Sequence, residues 1–236
     1  MKSKIGLITA TPMESLELRR RIRPEPDDTN KVVYEGKLHD KSVFLTHSGV
    51  GKVNAAHSMT IMLENYDIDL VVLFGIGGAY TRMAQGDIAV AQNENYAEEG
   101  VLTQDGWQPM ELTGFPLLEN EKKYYNTFPL DMEISGFAAS ALDEAGLHVH
   151  SGNFVTVSQC SGTTETGQLL MKRFNGICEN TEGAAVVHIC TMYGIPVIEI
   201  RGISNIVEDR DMGKWDIKGA ASNCCKAVSE ILRRLE

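Results

Sequence analysis

Leu70-Val71-Val72-Leu73-Phe74 runs without a break into Gly75-Ile76-Gly77-Gly78. Five consecutive apolar residues, two of them β-branched, mark a strand covered on both faces, and such strands belong to α/β sheets. The glycines predict that this strand stops at Phe74 and that backbone lines whatever lies beyond. In open α/β sheets, the space past the carboxyl end of a strand is where ligands bind.

Working outward, strands and helices alternate along the chain. Residues 5–10 read as a short strand, and 14–22 as a helix. Residues 31–34 and 43–46 read as strands about a turn at His39 and Asp40. Ser48-Gly49-Val50-Gly51-Lys52 then opens a helix that reaches Asn65. Residues 86–91, 154–158 and 196–200 are further strands. Val186, Ile189, Cys190 and Tyr193 follow i, i+3, i+4, i+7 spacing, and Gly194 and Pro196 end that helix. Ala221, Cys224, Cys225, Val228, Ile231, Leu232 and Leu235 repeat the spacing. This last amphipathic helix is expected to pack on its own sheet. Residues 93–130 are polar, aromatic and turn-rich, and core-like patterns flank them. They read as a long excursion, and such loops are often functional. The pattern predicts one α/β domain over residues 1–236 with a mixed or parallel central sheet.

Composition narrows the function. The 236 residues carry 22 Lys and Arg against 32 Asp and Glu, a net charge of −10, which argues against a nucleic-acid binder with a broad basic face. No apolar run approaches the roughly 20 residues of a membrane helix. Met1-Lys2-Ser3-Lys4 leads into a strand pattern without a small-residue cleavage site, so no signal peptide and a cytoplasmic location are expected. The five cysteines include no C-x-x-C, and Cys190, Cys224 and Cys225 lie on apolar stripes as small hydrophobes. The six histidines form no H-E-x-x-H. No protein-bound metal and no cofactor are expected.

Four strand ends carry residues suited to chemistry: 9–14, 74–78, 179–183 and 201–205. Gly75-Ile76-Gly77-Gly78 does not fit G-x-G-x-x-G, and Ser48-Gly49-Val50-Gly51-Lys52 lacks Walker spacing. A dehydrogenase and a nucleoside-triphosphate enzyme are therefore disfavoured. Glu14 follows the first strand at a helix start, and Glu182 stands at another helix start. Singly, each suits a helix dipole.

Taken with their order and spacing, these segments give the chain an end-to-end resemblance to the nucleoside phosphorylase and nucleosidase superfamily. The marks are residues 5–8 with Glu14, residues 48–56, Gly75-Ile76-Gly77-Gly78, Gly86-Asp87, residues 179–185 and Arg201-Gly202-Ile203-Ser204-Asn205. Residues 10–14, 114–117 and 203–211 with Trp215 are most similar to the futalosine hydrolase family within it. The resemblance implies a three-layer α/β/α domain with a mixed central sheet. It also implies cleavage of the N-glycosidic bond of a small-molecule purine nucleoside by water, with neither nucleic acid nor membrane as partner. Glu14 matches the carboxylate that activates the water. Glu182 matches the one that accepts hydrogen bonds from the ribose hydroxyls, and Asn205 holds the position facing the purine. Val50, Gly77, Gly162, Thr163, Thr181 and Ser204 match positions around ribose and base.

Two residues depart from relatives in ways that bear on substrate. The methylthioadenosine/S-adenosylhomocysteine nucleosidases carry Asp where this chain has Asn205. An amide cannot release a proton but can donate to N7 or O6, which favours a 6-oxopurine such as hypoxanthine. Thr181 replaces a Met that packs under the ribose. No arginine precedes Glu14, and a carboxylate at that strand end would repel phosphate. Hydrolysis is preferred to phosphorolysis, with the methylthioadenosine/S-adenosylhomocysteine nucleosidases, the purine nucleoside phosphorylases and a non-catalytic nucleoside binder as alternatives. Futalosine carries a carboxylate at its 5′ end, for which Arg82, Arg210 and Lys214 are candidate partners. Family analogy implies a homodimer or larger oligomer, with the excursion and the last helix as suspected contacts.

Overall fold

The computed structural model describes residues 4–24, 33–80 and 83–235. Its strands are β1 (Lys4–Thr9), β2 (Arg23–Pro24), β3 (Val33–Leu38), β4 (Lys41–His47), β5 (Leu70–Ala79), β6 (Ile88–Tyr96) and β7 (Val101–Thr103). They continue as β8 (Gly106–Gln108), β9 (Leu118–Glu119), β10 (Lys123–Tyr124), β11 (Thr127–Pro129), β12 (Val149–Thr156), β13 (Gly176–Asn180) and β14 (Val197–Ile206). The α-helices are α1 (Leu16–Arg19), α2 (Lys52–Asn65), α3 (Met132–Glu144), α4 (Thr164–Phe174), α5 (Gly183–Tyr193) and α6 (Ile217–Arg234).

β5 is the axis of the mixed sheet. It pairs in parallel with β1 on one side and β14 on the other, and antiparallel with β13 at its far end. β14 also pairs antiparallel with β6, which pairs with β12, which pairs with β13. Five strands thus close into a ring, while β1, β4, β3 and β2 extend the sheet from β5.

The apolar run divides its side chains as a strand must. Val71 and Leu73 join a cluster with Met59 and Met62 of α2 and Val186 and Cys190 of α5. Leu70, Val72 and Phe74 join another with Leu142 of α3 and Cys224, Val228, Ile231 and Leu232 of α6. Helices therefore cover both faces, and α6 spends its apolar stripe on its own core. α4 packs Leu170 and Phe174 on a third, smaller cluster.

Several boundaries differ from the sequence reading. β5 does not stop at Phe74 but continues to Ala79, because β14 and β13 supply hydrogen-bonding partners on both sides of its glycines. β14 likewise runs past Ile200 to Ile206, carrying residues 201–205 inside the sheet. α1 is a single turn, since residues 12–15 form a tight turn first, with Glu14 N bonded to Thr11 O at 3.2 Å. α3 and α4 are additional elements, and β13 is the strand whose end the sequence reading put at 179–183. The excursion is built of two small hairpins, β7–β8 and β9–β10, and then returns through β11 to pair with β6. Residues 31 and 32 of the expected strand lie outside the described residues.

Candidate active site

The strand ends named above converge on one cavity of about 200 Å³, lined among others by Glu14, Val50, Gly77, Thr181, Glu182, Ser204 and Asn205. Five elements or their flanking turns meet there: the turn after β1, the loop before α2, the glycines of β5, the β13–α5 junction and the end of β14.

Glu14 is 4% exposed and held by four donors. Its Oε2 accepts from Thr9 Oγ1 at 3.1 Å, Thr11 N at 2.8 Å and Thr11 Oγ1 at 2.9 Å, and its Oε1 accepts from Ile76 N at 3.0 Å. The last bond ties the carboxylate to the glycine run of β5. It can form because position 75 has no side chain: a Cβ there would sit 2.6 Å from Glu14 Oε1 and 3.0 Å from Arg201 Nη1.

Glu182 caps the entry to α5 from a non-helical backbone and is equally buried. Its Oε1 accepts from Gly51 N at 2.9 Å and from the Thr181 hydroxyl. Gly51 has φ +95°, a left-handed conformation that glycine adopts without steric cost, and this turns its N–H toward Glu182. Glu182 Oε2 lies 3.6 Å from Arg201 Nη1. Thr181, the departure from Met, therefore spends its hydroxyl on the neighbouring carboxylate.

Asn205 lies at the end of the cavity that adjoins a second one of about 250 Å³, which Ser161, Arg210 and Trp215 also line. Its pairing with β5 shifts register between Ile203 and Asn205, a bulge that re-aims side chains at a strand end. Asn205 Nδ2 donates to Ile206 O at 3.1 Å, which fixes the amide's orientation, and Oδ1 accepts from Ser204 Oγ at 2.8 Å. One N–H and one lone pair remain for a ligand.

Not every expected residue lines the cavity. Gly162 and Thr163 are exposed beyond its wall, where Thr163 caps α4 by accepting from Thr166 N. From the same segment, Cys160 and Ser161 line it instead. Of the cation candidates, Lys214 pairs with Glu208 at 3.1 Å outside this cavity, Arg210 lies at the Asn205 end, and Arg82 falls outside the described residues.

Sequence reasoning missed the charges beneath the floor. Arg201 is 1% exposed; its Nε and Nη2 donate to Glu199 Oε1 at 3.0 and 2.9 Å. Burial works against its charge, but the carboxylates of Glu199, Glu182 and Glu14 outweigh that and raise its pKa. Glu94 is fully buried beside Glu199, and a Cβ on Gly183 would lie within 2.6 Å of an Oε1 of each. Burial first, and then the Glu199 charge, push Glu94 well above the usual carboxylate range. Burial raises Glu199 too, but its guanidinium bonds keep it the charged member, so Glu94 holds the proton. Asn180 links this layer to the site, donating to Glu94 Oε1 at 2.6 Å while its Oδ1 accepts from Glu182 N and Gly183 N. The available sign was three ionisable residues, Glu94, Glu199 and Arg201, within otherwise apolar strands.

Residues 4–235 match the family model described as the phosphorylase superfamily. The chain is 34% identical over 78% of its length to futalosine hydrolase of Thermus thermophilus, covering 79% of that protein. It is 25% identical over 99% of its length to the 5′-methylthioadenosine/S-adenosylhomocysteine nucleosidase of an Exiguobacterium species, covering 99% of that protein. The solved structure of the same nucleosidase from Neisseria meningitidis, in complex with methylthio-immucillin-A, has a TM-score of 0.85 at 23% identity over 99% of this chain and 100% of that one. Futalosine hydrolase of Helicobacter pylori has a TM-score of 0.83 at 20% identity, over 99% and 98% of the two chains. These two likenesses establish the fold alone. The chain belongs to the phosphorylase superfamily, and within it to the nucleosidases, hydrolases of N-glycosyl bonds.

Proposed function

We propose that the protein hydrolyses futalosine to hypoxanthine and dehypoxanthine futalosine, a step in menaquinone biosynthesis, in the cytoplasm. The observation that carries the reading is Asn205 at the base end of a cavity that also holds two buried carboxylates. The Thermus thermophilus relative supports it.

Hydrolysis has three requirements: a placed water, a stabilised ribosyl cation and a base able to leave. Glu14 takes the water. Three of its four donors are backbone or buried, whereas the half-buried Thr11 hydroxyl can turn away and free a lone pair. Glu182 accepts from the ribose hydroxyls through Oε2, whose neighbour in the structure is the Arg201 guanidinium at 3.6 Å. Arg201 lets two carboxylates stay close in a dry floor while leaving the cavity side of each available. Thr181 orients Glu182, Ser204 orients Asn205, and Val50 and Gly77 form the walls. Asn205 offers its free N–H to the departing purine. As the glycosidic bond breaks, its electron pair leaves with the base and spreads onto N7 and O6. The bond from water oxygen to C1′ forms, and the water proton passes to Glu14.

The working form is a homodimer or larger homo-oligomer. Val50, which lines the cavity and is 61% exposed, and the exposed Val53 that follows it present apolar surface, and a neighbouring subunit covering them would close the 5′ side.

Chromatography of bases released from futalosine, methylthioadenosine and inosine, with and without phosphate, tests the reading. Hypoxanthine from futalosine, independent of phosphate, is the expected result. Glu14→Gln should lower kcat about 10²- to 10⁴-fold. The second reading, a methylthioadenosine/S-adenosylhomocysteine nucleosidase, draws support from the near full-length match to the Exiguobacterium enzyme. Adenine as the main product would establish it instead.

A further inference from the structure

We infer that Arg210 determines base specificity: its guanidinium, seated on Trp215, donates to O6 of the leaving purine and so selects hypoxanthine over adenine. The inference rests on the substrate reading above.

Arg210 and Trp215 line the Asn205 end of the cavity, and both also line an adjoining cavity of about 250 Å³. The arginine is anchored at two points. Its backbone N donates to Gly162 O at 3.2 Å, and its guanidinium carbon lies 4.8 Å from the centre of the Trp215 ring. The guanidinium is felt within the cavity, where its charge opposes the rise that burial imposes on the Cys160 thiol.

Acidic residues surround Arg210 in sequence, yet none of them takes its donors. Glu208 pairs with Lys214. Asp209 Oδ1 accepts from Thr164 N and Thr164 Oγ1, and Asp211 Oδ1 accepts from Gly213 N. Among the described residues Arg210 makes no ion pair and no side-chain hydrogen bond. A guanidinium has five N–H donors and no acceptor. A ligand that satisfies it must present acceptors.

Asn205 cannot meet that need alone. One of its N–H groups is committed to Ile206 O, so one remains. A departing 6-oxopurine presents two adjacent acceptors, N7 and O6, and gathers negative charge on both. One donor from Asn205 and one from Arg210 match that pair, and the cation is worth most when the charge is fullest. No proton is transferred from Arg210. Adenine presents an amino group at position 6, so donor would meet donor. The same placement excludes Arg210 as the partner of the 5′ carboxylate, which lies at the far end of a bound nucleoside.

The test measures kcat and KM for the wild type, Arg210→Met and Arg210→Lys. The substrates are futalosine, its 6-amino analogue and the analogue with no substituent at position 6, with thermal unfolding in parallel. Arg210→Met should lose about 10- to 100-fold in kcat/KM on futalosine, mainly in kcat, the scale of one hydrogen bond to a charged group. On the 6-unsubstituted analogue the loss should stay within about threefold, and lysine should recover part of the futalosine rate. Equal losses on all substrates, or an undiminished preference for futalosine in Arg210→Met, would overturn the inference while leaving the substrate reading intact. A wild type that prefers the 6-amino analogue would overturn both.

Discussion

Gly75→Ala would place a methyl group between Glu14 and Arg201. The new Cβ would stand 2.6 Å from Glu14 Oε1, where ordinary contact begins at 3.4 Å, so the oxygen must retreat by about 0.8 Å. Arg201 Nη1, at 3.0 Å, is crowded too and fully buried, so Glu14 can retreat only toward the cavity. Retreat stretches the 3.0 Å bond from Ile76 N, one hydrogen bond to a charged group, at a cost of about 1.5–3 kcal/mol. For a chain of this size that corresponds to a fall in Tm of roughly 3–12 °C. A shift near 1 Å in a group that places the water should also cost roughly 10²-fold in kcat. The control is Gly136→Ala in α3, where a Cβ meets nothing within 4 Å and should stabilise by about 1 kcal/mol. Single-turnover hydrolysis and calorimetric melting, run on all three proteins, decide the matter. A Gly75→Ala protein with lowered Tm but wild-type kcat would refute Glu14 as the group that positions water. One with neither change would refute the packing itself.

Thr181→Val removes a donor to Glu182 Oε1 but leaves Gly51 N in place, so kcat/KM should fall several-fold while Tm hardly moves. Loss of more than about 10³-fold would mean that Thr181 touches the reacting atoms. Stability should depend on pH through two groups that act in opposite directions. Burial first, and then the Arg19 charge, lower His47 to about 4 from an ordinary 6.5. The unfolded chain therefore binds the extra proton between these values, and the His47 contribution to stability should rise with pH across that window. Glu94 is raised, so its contribution is full below about 4.5 and is lost as pH climbs through the folded value. Each proton released on unfolding gives a falling slope of about 1.4 kcal/mol per pH unit. Between about 4.5 and 6.5 the two slopes oppose and largely cancel, so denaturant melts from pH 4 to 9 should show stability near level up to 6.5 and falling above it, and Glu94→Gln should turn the level stretch into a rise and remove the fall. A wild type whose stability rises from pH 5 to 6.5 and is then level to pH 9 would remove the proton from Glu94.

Much of this was legible along the chain. Five apolar residues in a row required cover on both faces, and the two helical layers provide it. Glu14, Glu182 and Asn205 were each readable as residues at the ends of elements, and they do meet in one cavity. The glycine run was read as an end of strand because glycine usually ends one. Here it continues, since two neighbouring strands hold its backbone and Glu14, Arg201 and Cys178 fill the space its side chains would take. Thr163 looked like a base-flanking residue by position along the chain, but capping α4 turned it to the exterior.

Local chemistry thus determined the elements, their alternation and the residues able to do chemistry, because periodicity, glycine and proline act over a few residues. Which charges face one another was decided by the tertiary fold. Arg201 meets Glu182 only because β14 lies beside β5 and the β13–α5 junction folds over both. Glu94 meets Glu199 only because β6 closes the ring on β14. Strand registry between segments a hundred residues apart leaves no trace in local pattern. Yet in a low-dielectric floor it decides which carboxylate is charged, which keeps its proton, and which is left free to face the substrate.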